Sequence, residues 1–149
     1  MVIRQRQVKR HENKRGYSVD GYNQSFVGIT TLLGKTKDEE SRKALLNWLK
    51  RPNAKAEVKQ ACERGSYTHR TLEKYGQGIP VNKGHAYKLF KNYVDPLVDW
   101  FDENVTQVLA QEQAVYHPEG FAGTFDLLAT LKEHGDEPVL CDYKTSRRS

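Results

Sequence analysis

The fold turns on residues 106–145, TQVLAQEQAVYHPEGFAGTFDLLATLKEHGDEPVLCDYKT. Three β-rich runs are legible in it: TQVLAQEQAVYH at 106–117, FAGTFDLLATL at 121–131 and PVLCDYKT at 138–145. HPEG and KEHGDE are turn-forming connections, short enough to join antiparallel neighbours. The stretch therefore predicts a three-stranded antiparallel meander. Side chains alternate along a strand, so Asp142 and Lys144 share a face.

Asp126 and Asp142 fall on neighbouring strands with one turn between them. Antiparallel pairing can set such residues side by side, with Cβ atoms about 5 Å apart. Two carboxylates at that separation repel each other. A divalent cation relieves the repulsion, and oxygen donors suit Mg²⁺ or Mn²⁺. Lys144 can then steady a water or a developing negative charge beside the cation, a combination suited to phosphodiester hydrolysis. Asp142 follows apolar VLC, and Asp126 lies between Phe125 and Leu127. Both strands thus read as covered on both faces, where unpaired charge is rare. The plainer alternative is a surface salt bridge between Asp142 and Lys144.

Glu112 adds an acid on the first strand. It can reach a metal through water or orient a ligand, or it can be an exposed strand glutamate among polar neighbours. Upstream, RGSYTHRTLE at 64–73 places Gly65, His69 and Glu73 at i, i+4 spacing on one helical face. Gly65 would allow close approach of another backbone. His69 is a candidate metal ligand with Glu73 orienting its ring, or a structural histidine.

The segments before the meander read as helices. GYSVDGYNQSFV (16–27) is expected to form a short irregular hairpin, and ITTLLG (29–34) an apolar turn closed by Gly34. DEESRKALLNWLKRP (38–52) has acids at its start and bases at its end, as the helix dipole favours, and Ala44, Leu45, Trp48 and Leu49 form one apolar stripe. A second helix is expected from Asn53 as N-cap to Tyr75, stopped by GQG. A third covers about 85–103, with Phe90, Val94, Leu97 and Phe101 in phase and Pro96 expected to kink or split it. Helices followed by a meander make an α+β pattern.

The 149 residues suit one domain, with a basic tail at 1–15 that reads as solvated or disordered and a folded part at 16–149. Net charge is +5, concentrated in Arg4, Arg6, Lys9, Arg10, Lys14 and Arg15, and compatible with a nucleic-acid partner. No apolar run approaches the roughly 18 residues of a membrane span, and the N-terminus lacks the apolar core of a secretory signal. Cys62 and Cys141 read as two buried free thiols of a reducing cytoplasm. They form no CxxC pair, so a zinc ribbon or an iron–sulfur cluster lacks ligands.

The ordered series RGSYTHRTLE, QEQAVYHPEGFAGTFDLL and LCDYKTS, spanning about residues 60–146, resembles the RecB-like exonuclease branch of the PD-(D/E)XK nuclease superfamily. Within it, the similarity is to the group containing the mitochondrial genome maintenance exonuclease and small bacteriophage relatives. The resemblance implies a partial PD-(D/E)XK nuclease core and a Mg²⁺- or Mn²⁺-dependent DNA exonuclease acting on ends, commonly of single strands. It implies a metal shell of His69, Asp126, Asp142 and the Tyr143 carbonyl, and catalytic roles for Lys144, Asp142, Asp126 and Glu112. It also implies the cluster-free kind, with no iron–sulfur centre, acting in the cytoplasm, a host's if the chain is bacteriophage-encoded.

Related nucleases continue beyond KTS with further strands and a helix bearing glutamine and tyrosine, whereas this chain stops at RRS. The C-terminal part of the fold is therefore expected to be missing, the chain being either a truncated gene product or one that another chain completes. Two other functions remain open: a catalytically inactive nucleic-acid-binding fragment, and a structure-specific endonuclease on the same fold.

Overall fold

The computed structural model describes residues 7–11 and 16–146. It is an α+β fold. The described residues form six strands, β1 (Val8–Arg10), β2 (Gly16–Val19), β3 (Phe26–Gly28), β4 (Val105–His117), β5 (Phe121–Leu131) and β6 (Pro138–Cys141). The four helices are α1 (Ile29–Lys35), α2 (Glu39–Leu49), α3 (Ala54–Gly76) and α4 (His85–Asn104). The strands are ordered β1-β2-β3-β5-β4, and β6 pairs with β5. The chain divides into two compact units, one containing residues up to Leu46 with Gln113–Phe125, the other Asn47–Glu112 with Asp126 onward.

In the first unit, β1, β2 and β3 are successive antiparallel neighbours. The expected hairpin at 16–27 is thus present. The expected tail is partly ordered: Val8–Arg10 is a strand paired to Tyr17–Val19. Arg4, Arg6, Lys14 and Arg15 lie outside the described residues. β3 runs parallel to β5, with Val27 opposite Phe121. The sheet is therefore mixed and not a pure antiparallel meander. A parallel pair needs a long crossover, and all four helices lie between β3 and β5 in the chain. Tyr17, Val19, Phe26 and Ala122 form the buried core. Tyr22, Phe26 and Tyr116 close it edge to face, with centroids 5.1–5.9 Å apart.

ITTLLG folds as α1 rather than as a turn, with Gly34 inside it. Asp38 caps α2: its Oδ1 accepts from the Ser41 N–H at 2.7 Å and its Oδ2 from the Ser41 hydroxyl at 2.9 Å. Those bonds hold the Asp38 carboxyl below its ordinary pKa. The apolar stripe of α2 is not buried; Leu45 and Leu49 are 46% and 45% exposed.

In the second unit, β5 and β6 are antiparallel, with Leu127 opposite Cys141 and Leu128 opposite Leu140. This is the expected meander, but β6 ends at Cys141, four residues before the expected end at Thr145. Leu72 of α3, Val94 of α4, Leu127, Ala129 and Leu131 of β5, and Tyr143 make the core. Asn53 occupies the N-cap position of α3 without making a side-chain cap. Gly78, at φ 85°, ends that helix, its N–H bonded to the Tyr75 carbonyl at 3.0 Å. α4 runs unsplit through Pro96. The bond Pro96 removes is offset by the packing of Val94, Leu97, Val98 and Phe101 against the core. Arg64, buried on α3, stacks its guanidinium on Tyr93 of α4 at 4.6 Å. Cys62 is exposed and Cys141 half-buried, against the expectation of two buried thiols. A helical position facing outward and a short edge segment do not bury them.

Leu72→Ala is expected to cost about 3 kcal/mol, since it opens a cavity at a fully buried contact of α3, α4 and β5. Leu45→Ala, on the exposed stripe of α2, is expected to change stability by less than about 0.5 kcal/mol. Urea unfolding followed by tryptophan fluorescence measures both.

Candidate metal centre

α3, β4 and β5 each deliver one ionisable group to a common point in the second unit. His69 comes from the middle of α3, Glu112 from β4 and Asp126 from β5. One ligand atom from each lies within 4.8 Å of the others. His69 Nδ1 is 3.1 Å from Asp126 Oδ1 and 3.4 Å from Glu112 Oε1. Asp126 Oδ2 accepts the Tyr143 N–H at 2.6 Å. Asp126 is 9% exposed, so this carboxylate is held on both oxygens in a place water hardly reaches. The Tyr143 ring stands edge-on to His69, with centroids 6.0 Å apart.

Burial raises the Glu112 carboxyl above its ordinary pKa, and the Asp126 charge raises it further, while the hydrogen bond to His69 opposes both. Burial likewise raises the Tyr143 phenol. Glu112 is also the one non-glycine residue with positive φ among the described residues, at 45°. A left-handed non-glycine backbone costs about 1–2 kcal/mol, and such strain persists only where surrounding structure enforces it. The adjacent Gln111 is anchored to α3. Its side-chain amide donates to the Glu73 carbonyl at 3.0 Å, and its side chain fills the space that a Cβ at Gly76 would occupy. β4 is thereby fixed to the last turn of α3. The sequence reading overlooked Gln111; its signal was Gly76, which it took only as part of a helix stop.

The residues singled out in the sequence separate into two groups. His69, Glu112 and Asp126 converge. Asp142 and Lys144 pair with each other at 2.6 Å, with side chains 60% and 78% exposed. The register of β5 and β6, carried one residue further, does bring Asp142 level with Asp126. The strand has ended there, however, and the Asp142 side chain is out in solvent, not covered on both faces. That hydrogen bond raises the Lys144 pKa, and the Asp142 and Asp126 charges add to it. Lys144 is thus within electrostatic reach of the buried cluster. Tyr143 contributes its N–H, as a donor to Asp126. Gly65 has only an ordinary contact with Thr145, its Cβ position being 3.7 Å from Oγ1, so no close backbone approach depends on it. Glu73 is tied to the site through its backbone carbonyl, and its charge adds slightly to the raising of Glu112.

One imidazole and two carboxylates fit a divalent cation of intermediate hardness, Mn²⁺ in particular, and Mg²⁺ less completely because it favours an all-oxygen shell. The two acids gain from such an ion, since burial first and their proximity second raise Glu112. No family model, curated protein or solved structure matches the chain.

Mn²⁺ at about 100 times its Kd is expected to add about 2.7 kcal/mol of stability to the wild-type chain. Glu112→Gly relieves the left-handed strain and the carboxylate repulsion. It is expected to raise melting in EDTA by roughly 2–4 °C, equivalent to about 1 kcal/mol, and to abolish the Mn²⁺ increment. Scanning calorimetry with EDTA or Mn²⁺ reads both effects. A lower melting point for the variant in EDTA would show that the contact with His69 outweighs the strain.

Proposed function

We propose that the chain is a divalent-metal-dependent deoxyribonuclease, hydrolysing phosphodiester bonds from ends of single-stranded DNA. The observation that carries this reading is the convergence of His69, Glu112 and Asp126 from three separate elements onto one partly buried point. DNA as substrate follows from the resemblance of the His69, Asp126, Asp142 and Lys144 series to the RecB-like exonucleases and is supported by the basic net charge of +5.

His69, Glu112 and Asp126 would hold the cation. When bound, it supplies Lewis acidity and lowers the pKa of a coordinated water. The Tyr143 N–H fixes the Asp126 carboxylate in orientation. Lys144, with its pKa raised, stays protonated at neutral pH. It therefore donates hydrogen bonds and stabilises developing negative charge; it does not act as the base. Burial raises the Glu112 carboxyl above its ordinary pKa, and the cation it would help to hold offsets that cost of ionisation. Asp142 holds Lys144 in place at 2.6 Å.

A second reading, a DNA-binding chain without turnover, is favoured by that same exposed pair, which satisfies Lys144 outside the cluster. It would give salt-sensitive binding with no metal-dependent cleavage.

End-labelled single-stranded DNA with Mn²⁺ or Mg²⁺ against EDTA separates the two. The nuclease reading expects metal-dependent loss of label, a Lys144→Ala rate lower by about 10²–10³-fold, and no activity in His69→Ala. Closed circular single strands should survive; their cleavage would indicate an endonuclease. Undiminished cleavage by Lys144→Ala, or none by the folded wild-type chain, would overturn the proposal.

A further inference from the structure

A separate cavity of about 420 Å³ opens in the second unit, between α3 and the segment leading into α4. Arg70 and Lys74, one turn apart on α3, line one wall, and His85 at the start of α4 lines another. Tyr67 and Tyr87 supply two phenol rings, and Pro80 and its neighbours an apolar surface. No lining residue is acidic. Arg70 and Lys74 are both exposed, and neither is in any ion pair given for the described residues. Lys83 adds a further cation, 6.0 Å over the Tyr87 ring.

The two rings are held in place. The Tyr87 hydroxyl donates to both oxygens of Asp95, at 2.8 and 3.0 Å. Tyr67 packs against Phe90, with centroids 5.7 Å apart. The first turn of α4 carries no acid and no side-chain cap, so its amide dipoles reinforce the positive wall. Fixed aromatic rings beside paired cations are the chemistry that receives a base and its phosphate together. The volume lies within the range of small-ligand pockets.

We infer that this cavity is a nucleotide-binding subsite, Arg70 and Lys74 taking the phosphate and Tyr67 and Tyr87 the base. The nucleotide is either one unit of a single strand or a free nucleoside monophosphate; the chemistry is shared. The inference rests on the nucleic-acid part of the proposed function and not on catalysis. None of the metal-cluster residues lines the cavity. α3 carries both, with His69 turned to the cluster and Arg70 and Lys74 to the cavity.

The test is fluorescence anisotropy of a labelled 12-mer oligothymidylate in EDTA, where no cleavage can intervene, together with calorimetric titration of thymidine 5′-monophosphate. Three proteins are compared: wild type, R70Q/K74Q, and K55Q/K91Q, which removes equal charge from exposed positions of α3 and α4 outside the cavity. The subsite predicts roughly tenfold weaker binding for R70Q/K74Q and a salt slope reduced by about 0.7–1.4. It predicts less than a twofold change for K55Q/K91Q. An effect on the 12-mer alone identifies a strand subsite, and an effect on the monophosphate as well identifies a self-contained nucleotide pocket. Equal losses in the two variants, or none in R70Q/K74Q, would overturn the inference. Binding lost in R70Q/K74Q by a wild type that never cleaves leaves the subsite standing and removes the nuclease. Cleavage by a wild type whose binding ignores R70Q/K74Q does the reverse.

Discussion

The buried carboxylate of Asp126 is the constraint on which the second unit is organised. An ionised carboxylate taken from water is costly unless every oxygen is satisfied. One of its oxygens accepts the Tyr143 N–H of the segment after β6, and the other lies 3.1 Å from His69 Nδ1 of α3. Each contact ties an element to the carboxylate. Leu127, next in the chain, is fully buried in the core with Leu72 and Val94. The charge therefore sits at the edge of the apolar packing, where the surrounding elements are least free to move. Glu112 makes the arrangement harder to sustain, because it adds a second acid on a strained backbone. A group of two acids and one imidazole held this way, against both electrostatic repulsion and backbone preference, makes physical sense as a cation site more readily than as a stabilising network.

Much of the scaffold was legible because the signals were local. Turn residues at 117–120 and 132–137 separated the long strands, and the 3.6-residue phase of Val94, Leu97 and Phe101 marked α4. Long-range matters were less legible. Nothing local in Phe26–Gly28 announces a parallel partner nearly a hundred residues away. Val8–Arg10 looked like a tail because strand pairing, not its own composition, orders it. The stripe Leu45, Trp48 and Leu49 has the period of a buried face, yet period alone does not supply something to bury it against. Pro96 reads as a kink or a split because its local cost is visible in the sequence, while the packing that keeps α4 continuous is not.

The site divides along the same line. Asp126 was expected beside Asp142 with Glu112 as a further acid; in the structure Glu112 lies in the cluster with Asp126, and the Asp142 side chain pairs with Lys144. Alternation along a strand is a sound argument only while the strand lasts, and β6 stops at Cys141. Past that point Asp142 is free to turn outward and meet Lys144. Glu112, which the sequence left balanced between ligand and surface residue, is the acid that comes in beside Asp126. Its φ of 45° stands next to a side-chain contact between Gln111 and the end of α3, and no spacing rule would disclose that contact.

α3 then has a double role that follows from its geometry. Residues 69 and 70 point about 100° apart on a helix of 3.6 residues per turn. A single rigid element thus presents an imidazole in one direction and a guanidinium in another. The buried stripe of Arg64, Thr68 and Leu72 anchors that helix, and the guanidinium of Arg64 on Tyr93 ties it to α4. Because one helix carries both, the offset between His69 and the Arg70–Lys74 pair is set by backbone geometry rather than by loops. A ligand long enough to touch both would meet them in a fixed register.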